Sequence, residues 1–129
     1  MKIDRLDHLV LTVKDIEATC KFYSTVLGME VVSFGTGRRA LSFGRQKLNL
    51  HEFGREYLPH AEHPMPGSVD LCFISAIPLS SVLDHLRACA VSVVEGPVER
   101  TGATGKIRSV YIRDPDQNLI EISEYTGIA

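Results

Sequence analysis

The chain has 129 residues, enough for one domain with a sizeable core, and its 44% hydrophobic and 23% charged content is ordinary for a soluble globular protein. A formal net charge of −2 gives no reason to expect nucleic acid or a membrane surface as partner. No apolar run approaches a spanning helix, Met1-Lys2-Ile3-Asp4-Arg5 lacks a signal-peptide core, and Cys20, Cys72 and Cys89 have no metal-type spacing, so a reducing cytoplasm is the expected compartment.

Leu6 to Val13, rich in apolar and β-branched residues, reads as a strand buried on both faces. Asp15 offers a helix N-cap with Glu17 in the first turn, and Ile16, Cys20, Tyr23 and Leu27 recur on one helical face before Gly28 stops it. Met29 to Phe34, Arg38 to Phe43 and Lys47 to Phe53 are three further strands, separated by Gly35-Thr36-Gly37 and Gly44-Arg45-Gln46. A connector over 55–67, with Pro59, Pro64, Pro66 and Gly67, carries no apolar period.

The second half repeats the order. Ser68 to Ser75 is a strand. Pro78 opens a helix whose face is Leu79, Val82, Leu83 and Leu86. Val91 to Val94 reads as a strand with room to run a little further, and Thr101 to Gly105 as a mobile loop. Ile107 to Arg113 and Leu119 to Glu124 are strands joined by the Asp114-Pro115-Asp116-Gln117-Asn118 turn. The expected fold is therefore α+β: a single domain of two tandem βαβββ modules, about 4–54 and 68–126.

Four polar residues sit at matching places in this repeat. His8 opens the first module and Asp70 the second; His51 closes the first and Glu121 the second. Side chains alternate along a strand, so His8 shares a face with Val10, His51 with Asn49 and Phe53, Asp70 with Cys72, and Glu121 with Ser123. Curled alike, the two modules would line one pocket, with His8, His51, Asp70 and Glu121 as metal ligands and Val10, Asn49, Phe53, Cys72 and Ser123 as its walls. Two imidazoles and two carboxylates suit Zn, Ni, Fe, Mn or Co alike.

Leu6-Asp7-His8-Leu9-Val10-Leu11-Thr12-Val13-Lys14-Asp15, Phe22-Tyr23-Ser24-Thr25-Val26-Leu27-Gly28-Met29 and Asp114-Pro115-Asp116-Gln117-Asn118-Leu119-Ile120-Glu121 resemble the vicinal oxygen chelate superfamily. This group holds glyoxalase I, fosfomycin-resistance and bleomycin-resistance proteins and extradiol dioxygenases. The resemblance implies paired βαβββ modules forming a curved mixed sheet around a divalent metal, and a homodimer. It matches His8 and Glu121 to the first and last ligands. His51 falls at or next to the ligand that closes the first module, and Asp70 falls where the family most often has His or Gln. The order His, His, Asp, Glu matches neither the glyoxalase nor the dioxygenase pattern.

The resemblance implies a glyoxalase-like lyase or isomerase acting on a small molecule that chelates the metal through adjacent oxygens. A lactoylglutathione-lyase-like reaction, with glutathione or another thiol as co-substrate, is the named expectation. Glu121 or Asp70 would move the proton. One alternative is an Fe(II)-dependent extradiol dioxygenase using His8, His51 and Glu121. Another is a metal-free drug-binding or resistance protein. His60, His63, His85, Arg38, Arg39 and Arg108 read as solvated, and Cys72 as an inert pocket wall.

Overall fold

In the computed structural model, which describes residues 1–127, the chain divides into two compact units, Met1–Gly67 and a second beginning at Ser68. Each is a βαβββ module with its own four-stranded mixed sheet. The repeat read from the sequence is thus an architectural one.

In the first module β1 is His8–Val13, α1 Ile16–Thr25, β2 Glu30–Phe34, β3 Arg38–Phe43 and β4 Gln46–Glu52, in sheet order β1-β4-β3-β2. Asp15 caps α1, its Oδ1 accepting from the Ala18 backbone N–H at 3.0 Å. Arg39 of β3 donates to Glu17 of α1 at 2.7 Å. Arg39 stands opposite Leu50 in the β3–β4 register, so α1 covers the face that carries Leu11, Val13, Leu48 and Leu50, all 0–1% exposed. Tyr23 and Cys20 of α1 complete this core. The other face carries His8, Val10 and Thr12 of β1, Asn49 and His51 of β4, and Arg38 of β3. The first strand is buried only toward its C-terminal half: His8 and Val10 are exposed.

The second module repeats this with β5 Asp70–Ile74, α2 Leu79–Ala88, β6 Glu95–Thr101, β7 Lys106–Arg113 and β8 Leu119–Tyr125, in order β5-β8-β7-β6. Leu79, Val82 and Leu86 are the buried face of α2. The Leu79 N–H at its start donates to Glu124 Oε2 at 3.0 Å, an anion placed where the helix dipole favours one. That puts α2 on the Ile120, Ile122 and Glu124 side of the sheet and leaves Asp70, Cys72, Glu121, Ser123 and Tyr125 on the other.

Two expectations are corrected. The strand expected over Val91 to Val94 lies instead at Glu95–Thr101. β6 contains Pro97 and is the sheet's edge, where a missing N–H can face away from the ladder. Thr101 to Gly105 is no free loop: Thr101 pairs with Lys106, and the Gly102 N–H donates to Gly105 O at 2.7 Å, closing a tight hairpin tip. The connector groups with the first module, through Tyr57 against His51 and Glu56, which accepts from the Gly54 N–H at 2.7 Å.

Candidate functional site

The strand registers place the four expected ligands. His8 is the first residue of β1 and Asp70 the first of β5, so the two open their modules alike. Across the parallel pairs, Asp70 stands opposite Leu119 and Cys72 opposite Glu121. In the first module His8 stands opposite Lys47, Val10 opposite Asn49 and Thr12 opposite His51. The counterpart of Glu121 in the repeat is therefore Asn49, and that of Ser123 is His51. The sequence alignment of the halves is two residues out at this point. A slip of two keeps a side chain on the same face, so alternation alone gave no warning.

The same register separates the two histidines. His8 and His51 lie on one face but four residues apart along the strands, roughly 13 Å at a strand's rise. Each has a different neighbour. His8 Nδ1 is 2.8 Å from Asp7 Oδ1, an arrangement that leaves Nε2 as the outward nitrogen. His51 is buried, 3% exposed, and its Nε2 accepts from Arg38 Nη2 at 3.4 Å. Burial first, and then the Arg38 charge, hold its pKa below the ordinary value. A guanidinium beside the imidazole is an unfavourable neighbour for a metal ligand. Arg38 itself, expected in solvent, is half-buried, with its guanidinium over Tyr57 at 4.3 Å and Phe34 at 4.9 Å. Asn49 is 6% exposed and its Oδ1 has no hydrogen-bond partner among the described residues.

In the second module Glu121 sits in a hydroxyl cradle. Ser109 of β7 donates to Glu121 Oε2 at 2.5 Å, and Ser123 lies 3.4 Å from the same oxygen. Ser109 and Ser123, both wholly buried, are 2.6 Å apart. Cys72 Sγ is 3.4 Å from Ser123 Oγ. Desolvation first, and the charges of Glu121 and Asp70 as well, push its thiol pKa up, which disfavours the nucleophilic thiolate. Asp70 is exposed at its strand's start.

A cavity of about 350 Å³ opens on this face, lined among others by Cys72, Arg100, Gly102, Glu121 and Tyr125. That volume suits a small organic molecule. Arg100 is held by Tyr111 Oη at 3.0 Å and Glu95 at 3.3 Å. Tyr125 Oη accepts from the Thr104 N–H at 3.2 Å; hydrogen bonding with the Thr104 side chain first, and then with its backbone, lowers the phenol pKa. Of the expected wall residues, Cys72 borders this cavity, and Ser123 Oγ lies 3.4 Å from its Sγ. Val10 and Phe53 belong to the first module and are exposed.

Among the described residues, no three His, Cys, Asp or Glu side chains gather as a ready-made metal cluster. The donor chemistry still suits a divalent ion at two positions. His8 and Glu121 each have the outer partner that orients a ligand, Asp7 for the imidazole and Ser109 for the carboxylate. Sequence reasoning missed Asp7, Ser109, Arg38 and Tyr57. Ser109 alternates with Ile107 and Tyr111 on one face of β7, but only the β7–β8 pairing puts that face with Glu121; Tyr57, in the connector, left no signal.

Residues 5–122 match the model of the glyoxalase/bleomycin resistance protein/dioxygenase superfamily. The virulence protein STM3117 of Salmonella typhimurium is 58% identical over 97% of this chain and 87% of its own length, and its crystal structure superposes with a TM-score of 0.96 over 98% of this chain and 100% of that one. The glyoxalase domain-containing protein RDO1 of Mycosarcoma maydis is 54% identical over 97% of this chain and 70% of its length. A lactoylglutathione lyase from Agrobacterium tumefaciens is 25% identical, with a TM-score of 0.73 and 95% of each chain covered.

Proposed function

The chain belongs to the glyoxalase/bleomycin resistance protein/dioxygenase superfamily, and from that premise we propose that it is a metal-dependent, glyoxalase-like enzyme. Its substrate would be a small molecule presenting adjacent oxygens. The observation that carries this reading is the orientation of Glu121 by Ser109 at 2.5 Å: a carboxylate fixed through one oxygen by a wholly buried hydroxyl is built to hold a position. Taken module by module, the proposed ligands are His8 in the first and Asp70 and Glu121 in the second. His51, beside Arg38, leaves the ligand set, and Asn49, whose Oδ1 is an unengaged oxygen donor, takes its place in the repeat.

When bound, a divalent metal supplies Lewis acidity, which polarises a carbonyl oxygen and favours loss of a neighbouring proton. The chain's own groups do the rest. The cavity wall of Ile74, Ile107 and Tyr125 shelters the apolar part of a substrate. Arg100 brings a fixed positive charge to the same wall. Asp70 or Glu121 accepts and returns the proton.

The likeness to the Agrobacterium lactoylglutathione lyase supports the hemithioacetal of methylglyoxal and glutathione as the first substrate to test. Turnover of that adduct by protein loaded in turn with Zn, Ni, Co, Mn and Fe, and its abolition in Glu121→Gln, is the expected result. No turnover with any metal overturns the named reaction. The Fe(II) dioxygenase reading loses support, since its triad needs His51 on the metal and His51 receives a guanidinium hydrogen bond instead.

A further inference from the structure

The ladder of the second module sorts its cavity face into rows. Glu121 stands between Cys72 of β5 and Tyr111 of β7. Ser123 stands beside Ile74. Tyr125 stands beside Ile107, and Ile107 beside Arg100 of β6. Glu121 and Tyr125 are four residues apart along β8, roughly 13 Å at a strand's rise, and both line the one cavity of about 350 Å³. A molecule that fills this space is therefore elongated. One end lies at Glu121, an apolar middle lies against Ile74 and Ile107, and the other end lies at Tyr125.

The tip of the β6–β7 hairpin holds the Tyr125 hydroxyl in place. Its Oη accepts from the Thr104 N–H at 3.2 Å. Gly102 leaves it room: a Cβ there would lie 2.9 Å from Oη, 2.9 Å from Ile107 Cγ2 and 3.0 Å from Gly105 O. Since Oη accepts from the loop, what the phenol offers the cavity is its own proton. The Thr104 side chain first, and then its backbone, hold the phenol pKa below the ordinary value, and a more acidic hydroxyl is a better donor. Arg100, the other donor on this row, is turned to Tyr111 Oη at 3.0 Å, the Glu99 carbonyl at 3.1 Å and Glu95 at 3.3 Å. Tyr111 belongs to the Glu121 row, so the guanidinium reaches back toward that end and the phenol remains at the other.

We infer that Tyr125 is a specificity-determining residue of the Glu121 site, donating its phenol proton to an oxygen at the end of the substrate remote from the metal. The substrate class narrows accordingly to an elongated molecule with an apolar middle and a hydrogen-bond acceptor at its far end. This inference rests on the reading of Glu121 as a metal ligand.

Straight-chain hydroxamates, which grip a metal through two adjacent oxygens, are the probes. Each chain length is made in two forms, one ending in isopropyl and one in its near-isostere, carboxamide. Both are titrated by calorimetry into the whole chain loaded in turn with Zn, Ni, Co, Mn and Fe. At the chain length that spans the cavity, Tyr125→Phe, which keeps the ring and loses the hydroxyl, is expected to weaken the carboxamide form by at least about threefold and to leave the isopropyl form as it was. An equal effect on the two forms, or no effect on either at any length, overturns this inference alone. Failure of both forms to bind the wild type with any metal overturns the metal reading and this inference with it. Should Tyr125→Phe fail to fold, wild-type protein labelled with ¹³C at tyrosine decides: its Tyr125 Cζ resonance is expected to move with the carboxamide form and to hold with the isopropyl form, and an equal response to the two overturns the inference.

Discussion

Ser109 and Glu121 meet diagonally across the antiparallel β7–β8 pair, the hydroxyl donating to Oε2 at 2.5 Å. Ser109 is wholly buried, so this contact is set by the sheet and not by solvent. Removing it in Ser109→Ala frees the carboxylate to rotate. Metal affinity is expected to fall about 10- to 100-fold, read by competition with a chromogenic chelator, with a stability loss of about 1 kcal/mol. Unchanged affinity would separate Ser109 from Glu121's role.

The turn before Glu121 sets its position along the strand. Asp114 Oδ1 accepts from the backbone N–H groups of Asp116 and Asn118, both at 2.9 Å, and its Oδ2 from Asn118 Nδ2 at 2.8 Å. Asn118 Oδ1 in turn accepts from the Val69 N–H at 2.9 Å, tying the start of β8 to the start of β5. Asn118 is 1% exposed. Asn118→Ala strands both partners, and a loss of about 3 kcal/mol is expected by urea unfolding. A loss below about 0.5 kcal/mol would mean that the turn holds without its side chains.

His51 makes stability depend on pH with a defined sign. Its folded pKa is lowered, so the folded state disfavours the proton that the unfolded chain accepts near the ordinary value of about 6.5. Stability from this group is constant above that value and falls as pH drops through it, toward the folded pKa. Unfolding free energies at pH 7.5 and 5.5 are expected to differ more in the wild type than in His51→Gln. An equal difference in the two proteins would show that another group is responsible.

Gly96 gives the edge strand room to lie on its neighbour. Its φ is +109°, and a Cβ built there would be 2.4 Å from Ser109 O and 3.0 Å from Val110 Cα, both backbone atoms. Gly96→Ala must push β6 away from β7 or strain its own backbone, at a cost of about 2–4 kcal/mol. A drop in thermal midpoint is expected, together with weakened metal binding, because the displaced backbone is that of Ser109. A variant as stable as the parent would contradict the close approach.

Much of the fold was legible because its signals are periodic. Leu11, Val13, Leu48 and Leu50 alternate as a core face must, and Cys20 and Tyr23 recur at helical spacing opposite them. The repeat of the modules was legible from the order of elements. Register was not, because a slip of two residues preserves alternation: His51 was aligned with Glu121, where pairing puts Asn49. The strand read at Val91 to Val94 lies further on, at β6, where Pro97 is tolerated because the strand is an edge, and edge status is a property of the whole sheet. Within the site, Glu121 was found from the turn preceding it. Its partner Ser109, and the pairing of Arg38 with His51, depend on which strands become neighbours, and that information lies outside any local window.

Whether the protein holds a metal through His8 and Glu121 is decided by elemental analysis of the purified protein, performed in parallel on wild type, His8→Ala, Glu121→Gln and His51→Gln. A stoichiometric divalent metal is expected in the wild type, with its loss in His8→Ala and Glu121→Gln and its retention in His51→Gln. Wild-type protein that binds no metal after loading, or metal that survives Glu121→Gln, would contradict it.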